Sequence, residues 1–132
     1  MEYIFEYPFE VRDYECDAQG IVNNANYQHY MEHARHRFIQ TLNLDFMELT
    51  NEGVILVVAK AELQYKSPLK SNDRFVCKLN VHKEGIRYVF HEDIYRESDN
   101  QLCTRGKFEI VSVINGRLGV SKKVEVALFG VE

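Results

Sequence analysis

Cys16-Asp17-Ala18-Gln19-Gly20-Ile21-Val22-Asn23-Asn24-Ala25-Asn26-Tyr27 sets a carboxylate, a glycine turn, an apolar pair and three asparagines directly ahead of a long amphipathic segment. The pattern predicts an acid held just before a helix N-terminus. Free backbone N–H groups and the positive end of the helix dipole collect there. Such an end can stabilise an oxyanion, and a carboxylate beside it can act as a base or a nucleophile. Together these are the minimum equipment for hydrolysing an acyl bond.

Downstream, from about Asn26, Tyr27, Tyr30, Met31, Ala34, Phe38 and Leu42 recur at spacings of three and four. This predicts a helix with one apolar side, capped by Asn23, Asn24 or Asn26 and stopped near Asn43. His29, Glu32, His33, His36, Arg37 and Gln40 fall away from that side. Asp45 to Leu49 reads as a short second helix, ended by Gly53. Upstream, Tyr3 to Arg12 alternates and is rich in aromatics, as a strand would be, and Pro8 within it indicates an edge position or an irregularity. Beyond Gly53 come four strand-like segments, Val54–Lys66, Arg74–His82, Ile86–Arg96 and Leu102–Ile114. Asn115-Gly116 then marks a turn, and Ser121 to Phe129 reads as a capped short helix or an irregular strand, the helix being favoured.

A strand, a long helix and a run of strands define an α+β domain. The expected architecture is the central helix packed on a single antiparallel sheet of about five strands. At 132 residues the chain reads as one domain, 1–132. A net charge of −4 argues against nucleic acid or an anionic membrane as partner. No apolar run approaches the ~18 residues of a membrane span, and no signal-peptide pattern opens the chain. Cys16, Cys77 and Cys103 lack metal spacing and suit a reducing cytoplasm. A sheet of this kind leaves edges exposed, so a homodimer is expected.

The order of these elements and the Asp17, Gly20-Ile21-Val22 and Asn26-Tyr27 positions resemble the hotdog-fold acyl thioesterases, in particular the 4-hydroxybenzoyl-CoA thioesterase branch. The Ser67-Pro68 to Asn72-Asp73 connection resembles the turn these proteins place between their second and third strands. The resemblance implies an acyl-CoA hydrolase needing no cofactor and no metal, assembled as a homodimer or homotetramer with its site at the dimer interface. It makes Asp17 the catalytic nucleophile or general base and Asn24, through its backbone N–H, the oxyanion contact, with Gly20 shaping the loop. Asn23, Tyr27, Lys66 and Lys70 are the substrate-binding candidates. The chain departs from the branch at Asn23 and Asn24, where many relatives carry an aromatic residue or His. Val22-Asn23-Asn24 instead resembles the acyl-ACP thioesterases, although those usually place a His where this chain has Ile21. An acyl-ACP thioesterase, a hotdog hydratase and a non-catalytic acyl-binding protein remain as alternatives.

Other residues admit plainer readings. Asp17 could simply cap a turn, and the asparagines could simply cap the helix. His29, His33 and His36 read as a solvated or interfacial cluster and not a metal site. Glu32 and Glu48 read as surface residues and Cys16 as a buried thiol. Among Lys60, Lys66, Lys70, Arg74, Arg87 and Arg105, the loop-flanking Lys66 and Lys70 are best placed for the phosphates of coenzyme A.

Overall fold

The computed structural model describes residues 2–130. β1 (Phe5–Glu10) leads through a single 3-10 turn at Asp13–Glu15 into α1 (Asn24–Thr41) and the short α2 (Phe46–Asn51). There follow β2 (Val54–Tyr65), β3 (Arg74–Glu84), β4 (Arg87–Arg96), β5 (Leu102–Ile114), β6 (Arg117–Gly119) and α3 (Lys122–Phe129). The antiparallel sheet has the order β1-β3-β4-β5-β2, with β6 folded back on the end of β5. The five expected strands are present, and β6 is a sixth that the sequence pattern did not reveal. Pro8 lies on β1, an edge strand whose one neighbour is β3, where a missing N–H costs no ladder bond on the open side.

α1 lies on one face of the sheet. Tyr27, Tyr30, Met31, Ala34 and Phe38 are buried as their spacing predicts. Aromatic contacts tie the helix to the strands: Phe9 stacks on Phe75 at 5.0 Å, Tyr30 meets Phe75 at 4.8 Å and Phe38 meets Phe5 at 5.5 Å. The helix begins two residues earlier than the apolar periodicity places it, because Asn23 is the cap. Asp45 caps α2 through the N–H groups of Met47 and Glu48, and Ser121 caps α3 through that of Val124. Among the described residues no helix is long and apolar enough to cross a membrane.

Two charged residues belong to the core. Arg35 is 4% exposed and Glu92 is fully buried, and Arg35 Nη1 donates to Glu92 Oε1 at 2.9 Å. Glu92 shares the inward phase of β4 with Tyr88, Phe90 and Ile94. The Arg35 guanidinium also lies over the Phe108 ring at 4.2 Å. Burial pushes the Glu92 carboxyl from its ordinary 4.5 up to about 7, the opposing pull of Arg35 notwithstanding.

A carboxyl raised on folding holds its proton more tightly in the native chain than in the unfolded one. Its contribution to stability is therefore fully present below the unfolded value and lost as pH rises through the folded one. Unfolding measured across pH 5 to 8 is expected to show wild type losing stability relative to Glu92→Gln, which has no proton to release. Parallel curves would remove Glu92 as the titrating group.

Candidate active site

The loop ahead of α1 is fixed at both ends by Glu15. Its carboxylate accepts from the Arg12 N–H and from the Tyr30 hydroxyl, each at 2.8 Å. Its main-chain oxygen accepts from the Asn23 N–H at 2.9 Å and from Asn26 Nδ2 at 2.8 Å. Burial, and then the neighbouring Glu15 carboxylate, push the Tyr30 hydroxyl far up, so it stays a donor. Inside this frame Cys16 bridges Val22, the Asp17 N–H donates to the Ile21 carbonyl at 2.9 Å, and the Gly20 N–H donates to the Asp17 carbonyl at 3.0 Å. Gly20 sits at φ +81°, the left-handed region that closes the turn at little cost only for glycine.

Asp17 is exposed at the tip of this turn. Its Oδ1 accepts the Gln19 N–H at 2.8 Å, which orients the carboxylate and leaves Oδ2 without a hydrogen-bond partner among the described residues. At the helix start, Asn23 Oδ1 accepts the Ala25 N–H at 3.0 Å and the Asn23 carbonyl accepts the Asn26 N–H at 2.9 Å. The N–H of Asn24 finds no acceptor among the described residues. Asn24 is an exposed residue, at the positive end of an 18-residue helix.

The remaining candidates divide. Tyr27 is buried, and its hydroxyl accepts the Leu69 N–H at 3.0 Å, so it holds the Leu69 segment against α1. Lys70 pairs by backbone with Ile21 and so stands beside the acid's loop. The end of β2 is brought to the same place: Tyr65 packs on Tyr27 at 5.5 Å, its hydroxyl points to the Asn24 carbonyl at 3.5 Å, and Lys66 follows. Lys66 and Lys70 are exposed and make no ion pair among the described residues. Lys60, Arg74, Arg87 and Arg105 are committed to Glu62, Glu10, Glu109 and Asp93.

Cys16 is half-buried, not the fully buried thiol that the sequence suggests. Burial and then Asp13 and Asp17 raise its proton affinity, which suits an inert thiol beside the acid. The histidines go separate ways: His33 packs on Tyr7 and Phe9, His36 on Phe46, and His29 faces Asn26. Sequence reasoning missed Glu15 and the Tyr30 hydroxyl, because nothing in their spacing marks a hydrogen-bond hub.

A sequence profile described as the Thioesterase-like superfamily matches residues 11–127. A putative esterase of Aquifex aeolicus is 34% identical over 126 residues, covering 89% of this chain and 98% of that protein. The chloroplastic acyl-acyl carrier protein thioesterase ATL3 of Arabidopsis thaliana is 32% identical over 101 residues, or 76% of this chain and 53% of its own length. The chain thus spans about half the length of that plant relative. A crystal structure of a hypothetical protein from Aquifex aeolicus superposes with a TM-score of 0.88 at 29% identity, covering 95% of this chain and 99% of that one.

Tyr27→Phe keeps the ring and orphans a buried backbone N–H at Leu69. The expected cost is about 1–3 kcal/mol in urea unfolding. A change within experimental error would mean that the Leu69 segment is held by something else.

Proposed function

The chain belongs to the thioesterase-like superfamily and carries the hotdog fold, and from that premise we propose that it hydrolyses acyl-CoA thioesters to a carboxylic acid and free coenzyme A. The observation that carries this reading is the unclaimed Asn24 N–H, at the head of the helix that the Asp17 turn feeds. In this reading the thioester oxygen accepts the Asn24 N–H, where negative charge develops as the carbonyl is attacked. Asp17 supplies the attack in one of two ways. As nucleophile it forms a mixed anhydride, displaces the CoA thiolate, and is released by water. As general base it takes a proton from the water that attacks. The Gln19 N–H on Oδ1 holds the carboxylate for either task while Oδ2 stays available. Gly20 and the bridges around it keep the acid in place, Asn23 caps the helix start, and Tyr27 secures the segment on which Lys70 lies. Lys66 and Lys70 are uncommitted cations that suit the phosphates of the carrier.

A second reading, hydrolysis of an acyl-ACP, draws support from the 32% identity to the plant acyl-acyl carrier protein thioesterase and from Val22-Asn23-Asn24. The chemistry at Asp17 and Asn24 is the same, and only the carrier differs.

The assembly we propose is a homodimer in which the open edge of β2 meets the same edge of a second copy, with the option of a tetramer built from two such pairs. β2 is 12 residues long, hydrogen-bonded on one side only, and exposes Ile55, Val57, Val58 and Tyr65. An edge of that length and character is a pairing surface.

Thiol release is expected from acyl-CoAs, acyl-ACPs or both, and Asp17→Asn is expected to lower kcat by about 100-fold or more. Equal rates in the two proteins would remove Asp17 from the mechanism. Sedimentation is expected to give a dimer or tetramer for wild type and a smaller species for Ile55→Lys, which places a charge on the edge. A monomeric wild type would refute the pairing.

A further inference from the structure

The helix start opens into a groove. A cavity of about 420 Å³ runs from Ala25 past Gln28 and His29 to Glu32, Arg35 and Val58, with Phe108 below. A second cavity, of about 290 Å³, has Glu32, Arg35 and Val58 in its wall as well. The two therefore adjoin at these three residues. Beyond them the second cavity becomes an apolar chamber between α1, α2, α3 and the sheet, walled by Ile39, Leu44, Phe46, Leu56, Phe90 and Leu128. One end of this path lies at Ala25, the residue after Asn24, and the other is a hydrocarbon-lined space.

Three features suit the path to a hydrocarbon. Leu56, Val57 and Val58 of β2 all line the chamber, just before a bulge at Ala59 that breaks the register between Val58 and Lys60. Arg35 stands at the junction, but its guanidinium donates to Glu92 and its plane lies on Phe108, so the group is turned to these partners. Burial lowers the proton affinity of His36, also in the chamber wall.

We infer that this groove and chamber receive the acyl chain, and that the substrates are long, unbranched aliphatic acyl thioesters, in preference to short or compact aromatic ones. The inference rests on the thioester-hydrolysis reading and adds the substrate class to it. Along α1, Ala25 to Arg35 spans roughly 15 Å and Ala25 to Ile39 roughly 21 Å. Three bonds of extended trans backbone cover 3.8 Å, so a stretched chain advances roughly 1.3 Å per bond. An acyl group of about dodecanoyl length thus reaches Arg35, and tetradecanoyl or hexadecanoyl enters the chamber. A benzoyl group stops in the outer cavity and leaves the chamber unfilled. Each methylene taken from water into an apolar wall strengthens binding by about fourfold.

The test is kcat/KM for hexanoyl-, decanoyl-, tetradecanoyl- and benzoyl-CoA, with Leu128→Trp as the variant. Leu128 lies on the C-terminal helix, half-buried at the chamber wall, where a larger ring can intrude without recasting the sheet. The expected profile climbs steeply to tetradecanoyl, with benzoyl low. Leu128→Trp is expected to lower the tetradecanoyl-to-hexanoyl ratio by about 10-fold or more. A flat profile, a benzoyl preference, or an unchanged ratio in a folded variant overturns the inference. Calorimetric binding of non-hydrolysable hexanoyl- and tetradecanoyl-CoA thioethers separates this from the chemistry. Tighter binding of the longer chain, weakened by Leu128→Trp, supports the groove even if no thioester is cleaved. Equal binding of the two chains overturns it, whatever the hydrolytic activity.

Discussion

Arg35 reaches Glu92 across 2.9 Å inside the layer between helix and sheet, and that contact fixes how α1 lies along the strands. Apolar side chains tolerate a helix displaced along its axis, because one ring or branched chain can replace another at modest cost. A buried ion pair does not. Sliding the helix would leave a carboxylate or a guanidinium unpaired in the core, at a cost of about 3–5 kcal/mol. The pair adds little net stability over a well-packed apolar alternative, and its effect is on register. Register matters here because α1 carries both the open N–H of Asn24 and the wall of the groove.

The N-terminal end of α1 is held by a different device. Glu15 accepts hydrogen bonds through its side chain and its backbone, from Arg12, Tyr30, Asn23 and Asn26. The Asp17 turn is thus a short closed excursion between two points already pinned to the helix start, and the Ile21–Lys70 and Val22–Leu69 contacts tie it to the next segment of chain. An exposed carboxylate on a free loop would spend most of its time elsewhere. Held this way, its position relative to the helix end is set before any ligand arrives, which is the condition under which proximity contributes to rate.

Much of this was legible in the chain. Strands β2 to β5 alternate over long segments and follow the expected boundaries within a few residues. Pro8 marks an edge strand, and the spacing of Tyr27, Met31, Ala34 and Phe38 gives the buried side of α1. The losses have physical causes. β6 is three residues long, too short to show a period, and the 3-10 turn has no hydrophobic face at all. Arg35 and Glu92 read as surface charges because charged residues are rarely fully buried unless they are paired. Yet Glu92 stands in phase with Tyr88, Phe90 and Ile94, and Arg35 lies four residues beyond Met31. Two charges in apolar phases, on elements expected to pack together, are the signal for a buried pair. Of the candidate site, the exposed acid, the glycine turn and the helix start follow the sequence pattern. The bulge and the chamber could not be read from it, since both depend on which strand β2 pairs with.

β2 carries two incompatible demands, and the bulge divides them. A long unpaired edge is ordinarily blunted with charge. That solution is present beyond Ala59, where Lys60 and Glu62 pair at 3.0 Å. Before Ala59 the strand is Val54 to Val58, apolar throughout, with Val57 41% and Val58 43% exposed. Charge there would face the chamber, because Leu56, Val57 and Val58 all line it. An apolar inner wall therefore keeps this half of the edge apolar on the outside as well. Covering it with a second copy of the chain would resolve the conflict without putting charge into the chamber. The apolar half of β2 thus serves both the proposed acyl chamber and the proposed pairing of subunits.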